Sequence, residues 1–255
     1  MTPDPFSFHM DALSFIREIE GIFTRYWGGH FEVVTTFFSR PRPRAQLVGW
    51  LDVQLYKEIH VLPRKAQALI DMYEKLDAEV ERAEYEAEAY ELADEVQHYR
   101  LLADIRELVT GARLKATEAK PTPEQLRLEE VRRKYSPGSS PLVGAVSGFS
   151  PGGGVAFAAA GAMIDGGPIE RLLAEAFKII YRQEHVHYHQ RRLVFDRLAE
   201  ESNPSEYRAA LEYARELARQ HFILRNESFS YPLGPERIKE IDTGKVVPYS
   251  PPRLY

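Results

Sequence analysis

Apolar residues recur at helical spacing through most of this chain. Leu13, Phe15, Ile16, Ile19 and Phe23 predict a helix from Asp11 to about Trp27, stopped by Gly28-Gly29. The β-branched and aromatic run His30 to Phe38 fits a short strand or a packed loop, and Ser39-Arg-Pro-Arg-Pro-Arg44 fits a stiff, solvated connector. A helical pattern then runs from about Ala45 to Val109. Its length predicts two helices, divided near Lys75-Leu76-Asp77 with Asp77 as the second N-cap. The first is expected to continue past Pro63 with a kink, and Gly111 ends the second.

Thr122-Pro123-Glu124-Gln125 opens a shorter helix, with Thr as N-cap, Pro at N1 and Gln at N3. Ser136 to Gly154 is rich in Gly, Pro and Ser and reads as loop. Val155 to Met163 predicts a short helix of small residues, closed by Asp165-Gly166-Gly167. Pro168 starts a long helix to about Glu201; Asn203-Pro204 breaks it, and a last helix runs from Ser205 to about Arg225. Tyr231 to Tyr255 is Pro-rich and expected to lie extended on the surface or on a partner. The expected fold is all-α. Residues 1–44 form an N-terminal helix and connector, 45–230 a helical bundle and 231–255 an extended tail.

The helical stripes carry charge where leucine is expected. Leu47, Leu51, Leu55, Glu58, Leu62, Ala66 and Leu69 share one face, so Glu58 is a lone carboxylate in an apolar stripe. In the long second-half helix, Leu173, Phe177, Ile180, Glu184, His187, Arg191, Val194 and Leu198 share a face. A carboxylate in such a stripe needs a cation or a proton. Glu95 and His98 lie at the edge of a buried face, with Glu91 one turn away; below them the line is acidic, and a solvated acidic face is the alternative there. His185 and His189, on the polar line opposite Glu184, read as solvated.

Glu95-Val-Gln-His98 and Glu184-His-Val-His187 are therefore one motif, Glu-x-x-His, placed once in each half of the chain. A three-residue step stacks both side chains on one face. Two such pairs, with lone carboxylates from neighbouring helices, are how a four-helix bundle builds a di-iron or di-manganese site. The heights agree as well. Seventeen residues run from Glu58 up to Lys75 and seventeen from Ala78 back to Glu95, roughly 25 Å each way, which brings Glu58 and Glu95 level.

Composition narrows the chemistry. The chain has 255 residues and no cysteine, so disulfides, thiolate metal sites, iron–sulfur clusters and cysteine nucleophiles are excluded. Any metal must be held by Asp, Glu and His, a donor set that suits iron or manganese. A net charge of −5 argues against a general nucleic-acid binder. The N-terminal residues lack the pattern of a signal peptide and no apolar run suggests a membrane span, so a cytoplasmic protein is expected.

On Glu58-Ile-His-Val-Leu-Pro63, Asp94-Glu-Val-Gln-His98 and the order small-residue helix, Gly167-Pro168, long helix, Glu184-x-x-His187, His189-Gln190, the chain resembles the ferritin-like di-iron carboxylate superfamily. Within it, the second half is most similar to the aromatic-ring oxygenase branch that includes the catalytic subunit of phenylacetyl-CoA oxygenase. The resemblance covers about residues 45 to 200. It implies a ferritin-like four-helix bundle and two Fe (or Mn/Fe) held by Glu58, Glu95, His98, Glu184 and His187. It also implies O2-dependent oxidation of a small organic substrate, with a separate reductase as electron source.

The chain departs from the superfamily pattern at one place. The third bundle helix should bring a carboxylate to the height of Glu184, and Gly152 to Gly161 offers none. Glu91 or His221 would be the extra ligand, or the position stays open to water or substrate. Small residues there either leave room for substrate or let helices pack closely. Tyr56, Tyr99, Tyr181 and Tyr188 read as core filling, and Arg191 as the ion-pair partner of a ligand carboxylate. Two other functions remain: iron oxidation without an organic substrate, and a non-catalytic helical subunit that binds a partner through Val246–Pro252. Apolar stripes on the outer helices allow a homodimer.

Overall fold

The computed structural model describes residues 10–136 and 138–253. The chain is all-helical, with no strand among the described residues and one isolated bridge between Leu76 and Val80. The helices are α1 (Ala12–Phe38), α2 (Arg44–Ile59), α3 (Leu62–Tyr73), α4 (Arg82–Thr110), α5 (Pro123–Tyr135), α6 (Pro141–Ala145), α7 (Ser150–Gly161), α8 (Pro168–Glu201), α9 (Pro204–Ser228) and α10 (Pro235–Asp242). α1 packs on α7, α8 and α9; α2 packs on α4, which packs on α8; α5 lies on α9. Apolar residues of every helix but α3 join one core, dense in rings such as Phe15, Phe23, Trp27, Trp50, Phe177 and Phe222.

Several boundaries differ from the sequence expectation. Gly28-Gly29 does not stop α1, and His30 to Phe38 is neither strand nor loop but the helix's continuation. A Cβ at Gly28 would lie 2.2 Å from the carbonyl oxygen of Val247, and one at Gly29 would lie 2.7 Å from the Phe222 ring. The two glycines are sites of close approach inside a helix, and packing outweighs their propensity cost of about 1 kcal/mol each. At Pro63 the helix ends outright instead of kinking: α2 stops at Ile59, and Pro63 sits in the first turn of α3, where its missing N–H costs nothing. Asp77 is not an N-cap. It adopts φ 64° in the turn before α4 and takes Arg82 as its ion-pair partner at 2.6 Å.

The segment expected as loop from Ser136 is helical from Pro141. Ser140 caps α6, a 3-10 turn follows over Val146–Phe149, and α7 starts at Ser150. Pro141 and Pro151 start helices here instead of breaking them. Together Pro141–Gly161 makes a 21-residue stretch long and apolar enough to cross a membrane by length and composition, which the sequence reading did not anticipate. In this fold it is a core element packed against α1 and α8. The C-terminal segment is not simply extended. α10 buries Ile241, the Tyr249 amide donates to the Thr24 carbonyl at 3.0 Å, and the Tyr249 ring stacks on Phe31. His185 and His189 are not solvated either: His185 is buried, and both rings bond the Pro252 carbonyl.

Four helix boundaries match. Thr122 caps α5, accepting from the Gln125 amide, and Gly111 closes α4 in the left-handed conformation. Pro168 opens α8, and Asn203 forms a capping box at the start of α9.

Candidate metal centre

Glu58 stands in the last turn of α2, and Glu95 and His98 stand in the middle of α4. Ligand atoms of the three lie within 4.8 Å of one another, so the expected levelling of Glu58 with Glu95 is realised. His98 is fully buried. Its Nε2 lies 3.0 Å from the Oε1 of Gln183, whose amide nitrogen donates to Asp94 at 2.6 Å and to Gln97 at 2.7 Å. That network turns the Gln183 oxygen toward His98 and places the imidazole proton on Nε2. Nδ1 makes no hydrogen bond. It faces Glu58 at 3.5 Å, Glu95 at 3.8 Å and Glu184 at 4.0 Å. A buried, unpaired nitrogen among three carboxylates is an arrangement that a cation completes.

The second motif mirrors the first. His187 is buried, with its Nε2 3.0 Å from the carboxylate of Asp94. Asp94 precedes Glu95, and Gln183 precedes Glu184. Each motif histidine is thus held by the residue before the other motif's glutamate, which leaves the opposite ring nitrogen for ligation. Sequence reasoning gave these two residues no role. The signal was present: the repeat is a polar residue, then Glu-x-x-His, five positions and not four.

Glu184 reaches the cluster because α7 is glycine where it passes. A Cβ at Gly154 would lie 2.5 Å from the Glu184 Oε2. On this helix, where a carboxylate ligand was expected, the glycine leaves the space into which Glu184 extends. The neighbouring glycines serve close packing, Gly152 against Trp27 and Gly153 against His30.

Two residues considered as extra ligands stand elsewhere. Glu91 is held by Lys65 and by Arg191 at 2.7 Å. Burial opposes its charge, but the two cations outweigh burial and hold its carboxyl down at about 2. Arg191 spans Glu88 and Glu91 and does not touch the cluster carboxylates. His221 meets His30 edge to face at 4.9 Å, outside the convergent group. Burial and the neighbouring His30 and Arg225 keep its imidazole neutral. Of the tyrosines, Tyr188 packs against Trp27, Tyr181 stacks on His185 and Tyr56 stacks on His60.

The cluster titrates far from ordinary values. Burial, then the charges of Glu58 and Glu184, push Glu95 up to about 8. Burial works against a charged His98, yet Glu58, Glu184 and Glu95 outweigh it and raise the imidazole to about 9. Burial also raises Glu184, whereas Glu58 is lowered, because contact with His98 overcomes burial. Without a metal, the site stores protons where an ion would sit.

Beside the cluster opens a cleft of about 180 Å³, lined by Glu58, Glu95 and Glu184 and by Lys57, Arg132 and Arg225. Val61, Leu128, Phe157, Ile180 and Leu224 supply apolar wall. Burial and the nearby Arg225 bring Lys57 down to about 7, and burial brings Arg225 down to about 10.

No family model, curated protein or solved structure matches this chain. Two statements stand on the geometry alone: the chain is all-α, and its buried Glu58–Glu95–His98 group is suited to hold a metal ion.

Proposed function

We propose that this chain is a ferritin-like, non-haem metal-carboxylate protein that activates O2 toward a small organic substrate in the adjoining cleft. The observation that carries the reading is the bare His98 Nδ1, fully buried and aimed at Glu58, Glu95 and Glu184. Glu58, Glu95 and His98 would hold one ion; Glu184 and His187 would hold a second. Carboxylate and imidazole donors suit Fe(II) and Mn(II) over softer metals. When bound, the ions supply O2 binding and electron transfer to it.

The chain's own groups do the rest. Gln183 and Asp94 orient the two imidazoles. Lys65, 3.4 Å from Glu95, screens that carboxylate from its neighbours. The apolar walls limit water beside the site. With no cysteine to build an internal redox relay, the electrons come from a separate reductase. A mononuclear site is the second reading, favoured because among the described residues Glu58, Glu95 and His98 form the one convergent group.

Elemental analysis of protein expressed with iron and manganese decides among these. About two metals per chain, lost in Glu95→Ala and Glu184→Ala, are expected. One metal lost only in Glu95→Ala gives the mononuclear reading, and a metal-free wild type removes the enzymatic one. Glu91→Gln is the control. It should keep its metal but lose about 1–3 kcal/mol of stability, because Lys65 and Arg191 lose a buried partner.

A further inference from the structure

Arg225 is a buried guanidinium with no carboxylate partner. Its residue is 3% exposed, its Nε makes no hydrogen bond, and its plane lies 3.9 Å over the Phe157 ring. Its one polar contact is the amide oxygen of Gln54 at 3.4 Å, and Lys57 leans on the same oxygen at 3.5 Å. Arg132 lines the cleft as well. Among the described residues, none of the three cations forms an ion pair. A guanidinium out of water is costly unless an anion meets it.

In the metal-free protein, Glu58 and Glu184 offset Arg225 electrostatically without touching it. A metal ion held by those carboxylates takes up their charge. The cleft is then lined by the guanidinium groups of Arg225 and Arg132 and by the Lys57 amine, with no carboxylate paired to any of them among the described residues. His30 and His221, packed between α1 and α9 near this wall, stay neutral and add no anion.

We infer that Arg225, with Lys57 and Arg132, forms a subsite for the carboxylate of a small organic acid, placing its apolar body against Phe157, Ile180 and Leu224 beside the metal cluster. This deepens the proposed function by naming the substrate class, and it rests on that reading for the metal ion that takes up the charge of Glu58 and Glu184. The planar guanidinium matches a carboxylate through two parallel hydrogen bonds. The volume, about 180 Å³, suits a small acid.

Calorimetric titration of benzoate and of inorganic phosphate tests this. Wild type, Arg225→Gln, Arg225→Lys and Arg132→Gln are each titrated metal-free and loaded with Mn(II). Benzoate should bind the wild type in preference to phosphate. Its affinity should fall ten- to a hundredfold in Arg225→Gln, as loss of a charge-assisted contact of about 1.5–3 kcal/mol requires, and recover in part with Lys. Arg132→Gln should weaken it less. Should Arg225→Gln fail to fold, Arg132→Gln alone still decides, since unchanged affinity there overturns the subsite. No binding to the wild type, or equal binding to Arg225→Gln, overturns it too, and preference for phosphate overturns the carboxylate assignment. Benzoate binding that depends on Arg225 in a protein that takes no Mn(II) keeps the subsite and sinks the metal reading instead.

Discussion

His98 shows how one side chain concentrates the chemistry of the site. Its Nε2 is tied to Gln183 and its Nδ1 faces three carboxylates. Glu95, raised to about 8, and His98, raised to about 9, both hold protons at pH 7 in the metal-free protein. A metal must displace them. Metal affinity is therefore expected to rise from pH 6 to 9 and to level off above, with proton release on binding that calorimetry in buffers of different ionisation enthalpy will read. Stability of the metal-free protein should move the other way. Both groups bind protons more tightly folded than unfolded, so their contribution is full at low pH. It is lost between about 4.5 and 8 for Glu95 and between about 6.5 and 9 for His98. The Tm of metal-free protein should fall from pH 6 to 9, and metal should restore it. A flat Tm and a pH-independent affinity would place these two groups outside the site.

At the scale of elements, α7 decides whether the halves of the site meet. Its glycines give α1 and α8 room to close in, and Gly154 admits the Glu184 carboxylate. The atom that an added Cβ would strike is the far end of a flexible side chain, so Gly154→Ala should fold normally. Glu184 should be pushed from the cluster, and the metal that depends on it lost. Unchanged metal content would show that Glu184 is not a ligand. The α2–α3 break matters in the same way. It ends α2 one residue past Glu58, and α3 then carries Lys65 back over Glu91 and Glu95. Alternation of polar and apolar positions made α4, α8 and α9 readable because each buries one stripe. It could not show that α7, buried nearly all round, was a full helix.

Across the whole molecule, the C-terminal segment is tied to both halves of the core. It touches α1 at Gly28 and Thr24 and α8 at His185 and His189. In an exposed helix Gly→Ala stabilises by about 0.5–1 kcal/mol. At Gly28 the new methyl would meet a backbone carbonyl, which cannot move aside alone. Gly28→Ala should therefore detach the tail: the Tyr249 amide should lose hydrogen-exchange protection and residues 246–252 should become open to protease. Retained protection would mean that the tail is anchored by α10 and the histidines alone.

What the sequence determined by itself is the part set by local spacing. Helical periodicity, caps such as Thr122 and Asn203, and the placing of Glu58, Glu184 and His187 in apolar stripes, with Glu95 and His98 at the edge of one, follow from residues within a turn or two of one another. Tertiary structure decided what depends on residues far apart in the chain. It carried α1 through two glycines, because Val247 and Phe222 need that space. It assigned Glu91 to Lys65 and Arg191 instead of the cluster, cross-linked the two motifs through Asp94 and Gln183, and set beside them an Arg225 that has no carboxylate partner among the described residues. Which partner a buried charge finds is fixed by helix packing, and spacing along the chain carries no record of it.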